Sequence, residues 1–118
     1  MRWFEEVQAE LQRARIAERS GNAGKVRTSA RRAAGIALAE FQRRFPEKNY
    51  GSDFIGQLRG FAEDGSVDAG ARAAAQRLQA RLSQDFESPS KNPIDDALTI
   101  IEFVKSRMAP GYNPSAAI

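Results

Sequence analysis

The chain has 118 residues and a formal net charge of +3, and it contains no histidine and no cysteine. The length fits one domain, and the missing imidazoles and thiols exclude the side chains that most often serve as general bases, nucleophiles and soft-metal ligands near neutral pH. Because a disulfide framework is also excluded and no apolar run approaches the roughly 20 residues that span a bilayer, we expect a cytoplasmic protein.

The first predicted element is an amphipathic helix from Trp3 to about Arg19. Trp3, Val7 and Leu11 recur every four residues, which is typical of one apolar helix face. The segment 20–24, Ser-Gly-Asn-Ala-Gly, then interrupts the pattern. A break this short favours an antiparallel pairing of the first helix with the next one.

The second predicted helix begins at about Gly24 or Lys25 and runs to Phe45, because Pro46 cannot easily continue it. Its apolar stripe consists mostly of alanine, so a neighbouring helix can approach closely. Such a seam suits either an intramolecular bundle or a dimer interface. The interface candidates are Ala30, Ala33, Ala34 and Ala37.

Six basic side chains lie between Lys25 and Arg44, against the single acid Glu40. Lys25, Arg32 and Arg43 fall on the side of the helix opposite the apolar stripe. This cationic side is either a solvated face or a binding site for an anionic partner, such as nucleic acid, a nucleotide or an acidic protein surface. The candidates for anion or partner binding are Lys25, Arg27, Arg31, Arg32 and Arg43.

Arg27 differs from the other cations of this helix because it falls inside the apolar sector. Its aliphatic stem can extend out of the core and leave the guanidinium in solvent. The alternatives for Arg27 are a bound anion or a buried pair with an acid.

A short third helix is predicted after the polar connection. Ser52 is its predicted N-cap, and Asp53 is favourable at the positive end of the helix. Phe54, Leu58 and Phe61 recur at helical spacing, so we expect these side chains to lie in the core.

The turn signal Asp64-Gly65 ends the third helix, and a fourth helix begins at Ser66 or Asp68. Its predicted apolar stripe consists of Ala71, Ala74, Ala75, Leu78 and Leu82.

The last predicted helix begins at Asn92-Pro93, after a polar loop at 87–91. Asparagine is a good N-cap, proline is favoured at the first helical position, and Asp95 and Asp96 complement the helix dipole. Pro110-Gly111 ends this helix. Its predicted apolar stripe consists of Ile94, Ala97, Leu98, Ile101, Val104 and Met108.

These elements predict an all-α fold, an up-and-down helical bundle of four to five helices. A single domain is expected over residues 1–109, followed by a flexible C-terminal tail at 110–118.

Three segments of this sequence carry a family resemblance. A first helix with Trp3 precedes Ser20-Gly21-Asn22, the second helix contains Arg31-Arg32-Ala33-Ala34-Gly35-Ile36-Ala37-Leu38, and the last contains Ile94-Asp95-Asp96-Ala97-Leu98-Thr99-Ile100-Ile101-Glu102-Phe103-Val104. Together they resemble the HEPN domains (higher eukaryotes and prokaryotes nucleotide-binding). The resemblance covers roughly Trp3 to Met108.

The resemblance implies an up-and-down helical bundle, often dimeric, that binds a small nucleotidyltransferase in many toxin–antitoxin pairs. Active members of the family are metal-independent ribonucleases that use an arginine followed four to six residues later by a histidine. Arg81 lies in the corresponding region, but no histidine occurs anywhere in the chain. The resemblance therefore implies a fold and a type of partner, and it does not imply ribonuclease activity.

No motif for a metal, a cofactor or a phosphate-binding loop is apparent in the sequence. We therefore predict a non-catalytic helical interaction module that acts by homodimerisation or by docking to a partner protein, such as a nucleotidyltransferase. The alternative is a nucleotide- or RNA-binding protein that uses the basic face of the second helix. Neither prediction involves a membrane.

Overall fold

Five helices make up the part of the chain that the computed structural model describes, residues 2–80 and 89–109. They are α1 (Arg2–Arg19), α2 (Ala23–Arg44), α3 (Phe54–Ala62), α4 (Ala69–Gln79) and α5 (Pro93–Met108). No strand occurs within these residues, so the predicted all-α bundle is confirmed.

The second helix is the centre of the bundle. It packs along α1, α5 and α3, while α4 packs against α3 and α5. Both α1 and α5 pack on α2 but make few contacts with each other, and a cleft runs between them. Leu98 borders this cleft and is only half-buried, although the sequence placed it in the apolar stripe of α5.

The turn between α1 and α2 has the geometry that the Ser-Gly-Asn break predicts. Gly21 adopts a left-handed conformation with φ of 72°. Its N–H donates to the carbonyl of Glu18 at 3.1 Å, and the N–H of Asn22 donates to the carbonyl of Ala17 at 2.9 Å. The Asn22 side chain then caps α2 by accepting from the N–H of Lys25 at 3.1 Å. These bonds satisfy backbone groups that both helix ends would otherwise leave unpaired.

The caps of α3 and α4 differ partly from the sequence prediction. Asp53, and not Ser52, caps α3, because its carboxylate accepts from the N–H of Gly56 at 2.7 Å. Asp68 caps α4 by accepting from the N–H of Ala71 at 3.1 Å, which selects the later of the two predicted starts.

The first turn of α5 joins this helix to α4. Asn92 occupies the N-cap position, but its side chain makes no capping hydrogen bond, and Pro93 begins the helix. Asp96 is 7% exposed and accepts from Arg77 of α4 at 2.7 Å and from the Ser90 hydroxyl at 2.5 Å. The sequence predicts that Asp96 complements the helix dipole. In the structure it also forms an ion pair that joins α5 to α4.

The alanine seam of α2 lies inside the bundle. Ala30, Ala33, Ala34 and Ala37 are all 0% exposed within the single chain. Small side chains let the neighbouring helices approach closely, and this same approach hides the seam from any partner. Of the two alternatives for the seam, the structure shows the intramolecular one, because these four alanines lie in the core of the single chain.

Three sequence predictions lie outside the described residues. They are the arginine of the incomplete ribonuclease motif, Arg81, the last residue of the α4 stripe, Leu82, and the tail at 110–118.

Candidate docking surface on the second helix

The face of α2 opposite the alanine seam is open to solvent, and we call it the outer face. Lys25, Arg32, Ala39 and Arg43 are all exposed there, as the sequence pattern predicts for its three cations. The five cations predicted to bind a partner differ in their contacts within the chain. Their hydrogen bonds and ion pairs determine which of them are available to a ligand.

Arg31 is committed to the fold. Its Nε donates to the carbonyl of Leu78 at 2.7 Å, and its Nη2 donates to the carbonyl of Ala80 at 3.1 Å. A cation bound to the last carbonyls of a helix satisfies unpaired acceptors and complements the dipole. Burial lowers the pKa of Arg31, and the nearby charge of Arg27 lowers it further. Arg31 therefore has a structural role, because its guanidinium joins α2 to the end of α4.

Arg43 is compensated by an acid on its own helix. Its Nε donates to Glu40 at 3.0 Å, and Arg44 donates to the same carboxylate at 3.0 Å. The hydrogen bond from Arg43 is the main cause that lowers the pKa of Glu40 to about 2, against an opposing effect of burial, and Arg44 contributes as well. In turn Glu40 raises the pKa of Arg43. Two arginines thus share one carboxylate, so this group keeps one net positive charge while both guanidinium groups are engaged by hydrogen bonds.

The three remaining predicted cations are Lys25, Arg27 and Arg32. Their side chains make no ion pair within residues 2–80 and 89–109. Lys25 and Arg32 share the outer face and are seven residues apart, which corresponds to about 10.5 Å along the helix. Arg27 is half-buried on a different side of α2. The structure therefore brings two of the five candidates together as unpaired charges.

Phe54 is a surface residue that the sequence analysis assigned to the core. Leu58 and Phe61 are fully buried as predicted, but Phe54 is 40% exposed. Its ring lies directly on Gly35 of α2, where an added Cβ would come within 2.0 Å of the Phe54 Cδ1 atom. This contact explains why a glycine occupies position 35 inside a helix, because the side chain of any larger residue would occupy the space of the ring. An unexplained glycine inside a helix was the signal that could have predicted this contact.

Phe54 lies on the same side of α2 as Arg32 and Ala39, and Lys25 lies about two turns before Arg32 on the outer face. Arg32 precedes Gly35 by three residues and Ala39 follows it by four, so all three lie on neighbouring turns of one helix face. The ring of Phe54 packs on Gly35, which lies between the other two along the helix. We call the set Lys25, Arg32, Ala39 and Phe54 the docking surface.

The segment that leads to Phe54 is held by a cluster of polar side chains. The carboxylate of Asp64 accepts from the Tyr50 hydroxyl at 2.5 Å and from Lys48 Nζ at 2.9 Å. Gln42 of α2 accepts from the N–H of Tyr50 at 2.8 Å. The connection between α2 and α3 is therefore fixed both to α2 and to the turn before α4.

The electrostatics of this cluster favour a structural role. Burial raises the pKa of Tyr50, and the hydrogen bond to Asp64 raises it further. Burial also raises the pKa of Asp64, but hydrogen bonds from Tyr50, Ser66 and Lys48 outweigh that effect and hold it below its usual range. Both shifts move away from neutral pH, whereas general acid–base catalysis needs a pKa near the working pH.

A cleft of about 450 Å³ lies where the end of α1 meets the beginnings of α2 and α5. Arg27 lines it, together with Asn22, Ala23 and Lys91. Arg27 as a whole residue is half-buried beside this cleft, and it makes no ion pair with an acid of the described residues.

Within residues 2–80 and 89–109, no three His, Cys, Asp or Glu side chains come together in a group that could hold a metal ion. None of the helices in this described part combines the length and the hydropathy that crossing a membrane requires.

Comparison of the chain with protein-family models, with characterised proteins and with solved structures gives no match.

Proposed function

We propose that this chain is a non-catalytic helical interaction module that docks onto a partner protein through its docking surface. The observation that carries the proposal is Phe54, a large apolar side chain held 40% exposed on a glycine seat beside an unpaired arginine. Aromatic residues and arginine are enriched at protein interfaces. The ring is presented by a segment that the Tyr50–Asp64 cluster fixes, which limits the entropy lost on binding.

The resemblance to HEPN domains belongs to this proposal. The five-helix bundle supports it, because the family has an up-and-down helical fold. On this proposal the partner is a nucleotidyltransferase-type protein or a second copy of the chain, and the module supplies binding without ribonuclease chemistry, since no histidine is present.

The test is a selection of random peptides displayed on phage against the immobilised full chain. We expect peptides that bind the wild type and lose at least about thirtyfold in affinity for Phe54→Ser, because an interface anchor of this kind contributes that much. Ile16→Ser is the matched control, since Ile16 is likewise a large apolar residue that is exposed, at 49%, and it lies on α1, outside the docking surface. Circular dichroism verifies that both variants keep their helices.

Two results would contradict this proposal. One is a selection that yields no peptide sensitive to Phe54→Ser. The other is a set of peptides whose binding is lost equally in Ile16→Ser, which would indicate general stickiness and not a docking site.

Nucleotide or RNA binding remains the second candidate function, and the cleft beside Arg27 is the observation that favours it. On this candidate, affinity for ATP or for a short RNA falls steeply with salt and falls again in Arg27→Ala. Fluorescence anisotropy with labelled ATP and a labelled 20-mer RNA at two ionic strengths measures both effects. Absence of binding even at low salt would eliminate the candidate.

A further inference from the structure

We infer that the docking surface takes an acidic protein surface, one with a hollow for the Phe54 ring and carboxylates on its rim. This inference depends on the proposed function and names the chemistry of the partner.

The docking surface carries an excess of positive charge. Lys25 and Arg32 are exposed and make no ion pair within the described residues. The two acids nearest in sequence to this surface have other contacts. Glu40 is shared by Arg43 and Arg44. The Asp53 carboxylate keeps its charge, but it accepts from the N–H of Gly56 at 2.7 Å at the positive end of α3, where the helix dipole partly offsets that charge. A partner carboxylate therefore meets two cations that have no ion pair within the described residues.

The spacing of Lys25, Arg32 and the Phe54 ring defines which partner surface would fit the docking surface. Lys25 and Arg32 are about 10.5 Å apart along α2, and Gly35, the seat of the ring, lies about 4.5 Å beyond Arg32. A matching surface places one or two carboxylates on the α2 side of an apolar hollow. Complementary potentials of this kind steer association and exclude wrong partners.

The small number of unpaired basic side chains disfavours a nucleic acid as the partner of this surface. Binding to phosphates relies on many cations that follow the backbone. Of the six basic residues between Lys25 and Arg44, Arg31 binds the carbonyls of α4, and Arg43 and Arg44 share Glu40. Of the three that remain, Arg27 lies on a different side of α2, so the docking surface itself offers two unpaired cations beside one exposed ring. This arrangement suits a compact protein contact better than a phosphate backbone.

The experiment uses the peptides selected against the full chain. We expect the enriched pool to contain more Asp and Glu than the starting library. Individual peptides, measured by fluorescence anisotropy, should bind more weakly in 500 mM than in 50 mM sodium chloride, because salt screens exposed charges. The double variant Lys25→Glu, Arg32→Glu should lower affinity about tenfold at low salt. Arg19→Glu, a charge reversal of an exposed cation on α1, is the matched control and should have little effect.

A charge-swap measurement sharpens the assignment. A peptide in which one selected Asp is replaced by Lys should regain affinity for the Arg32→Glu variant. Gly35→Ala serves as a second variant, because it keeps Phe54 but displaces its ring.

The outcomes that overturn the inference differ from those that overturn the proposed function. Peptides that require Phe54 but are neutral, insensitive to salt and insensitive to the charge reversals would leave the docking module in place and remove the acidic partner. A dimer in analytical ultracentrifugation that Phe54→Ser dissociates would assign the surface to a second copy of the chain. Binding of a 20-mer RNA that depends on Phe54 would assign it to nucleic acid.

Discussion

The two faces of α2 use small residues for opposite purposes. On the inner face, four alanines are completely buried and let the surrounding helices approach closely. Near the outer face, Gly35 provides the seat for an aromatic ring that remains 40% exposed. The comparison shows that an Ala- and Gly-rich helix can form the core on one side and support an exposed aromatic ring on the other.

The largest expected effect comes from filling the inner face. Ala34→Trp introduces a bulky ring at a position that is 0% exposed, so we expect a cost at or above the upper end of the about 1–3 kcal/mol typical of overpacking. Thermal unfolding followed by circular dichroism measures this cost. Ala39→Trp, on the exposed face of the same helix, is the control and should leave the midpoint nearly unchanged. Similar melting of the two variants would contradict the assignment of the faces.

The next largest effect on stability is a difference between substitutions of two adjacent arginines, Arg31 and Arg32. Arg31→Met removes both hydrogen bonds to the end of α4, and hydrogen bonds from charged groups contribute about 1.5–3 kcal/mol to stability. Arg32→Met removes an exposed side chain and should change the free energy of unfolding by less than about 0.5 kcal/mol. Urea titrations of the two variants provide the test. Equal destabilisation would mean that Arg31 does not tie α2 to α4.

The pH dependence of stability tests the cluster that positions Phe54. The pKa of Asp64 is lower in the folded state than its ordinary value of 3.8, so its contribution is present above that pH and is lost as pH falls below it. We expect the free energy of unfolding, from urea titrations between pH 3 and pH 7, to fall less steeply in Asp64→Asn than in the wild type. At pH 7 this variant should be less stable by about 1–3 kcal/mol.

The alkaline side gives an independent measurement on the same cluster. The pKa of Tyr50 is raised above its ordinary value of 10.0, so its contribution is present below pH 10 and is lost as pH rises beyond it. Tyr50→Phe should therefore show a smaller loss of stability above pH 10 than the wild type. Parallel curves for the two proteins would show that the Tyr50–Asp64 hydrogen bond does not contribute.

The smallest effect on stability is expected at the border between the two faces. In Gly35→Ala the new Cβ displaces the Phe54 ring, while the gain in helix propensity of about 1 kcal/mol offsets the lost contact. We expect a net change below about 1 kcal/mol, a shifted Phe54 ring resonance in NMR spectra, and loss of binding of the selected peptides. Gly24→Ala is the control, because its Cβ would meet only Asn22 at 3.9 Å. Unchanged peptide binding by Gly35→Ala would show that the seat is not needed.

Most of the helical architecture could be predicted from local patterns. The break at Gly21, the proline at the start of α5 and most of the described residues of the apolar stripes depend on neighbours in sequence, and they appear in the structure near their predicted places. The choice between Ser52 and Asp53 as a cap could not be predicted, because both are good capping residues and their backbone geometry decides between them.

The candidate site was predictable only in part. The periodicity of α2 placed Lys25 and Arg32 on the exposed face. The compensation of Arg43 by Glu40 follows from their helical spacing and was visible in principle. The bonds from Arg31 to the end of α4 join residues 47 and 49 positions apart, and no local pattern indicates them.

The sequence by itself determined the class of the fold and the absence of imidazole and thiol chemistry, because helical periodicity and composition are local properties of the chain. The tertiary structure decided which small residues became core and which cations remained unpaired. It also decided that Phe54 stands on Gly35 at the surface. The physical reason is that burial and charge compensation are set by contacts between distant segments, and these exist only once the helices have packed.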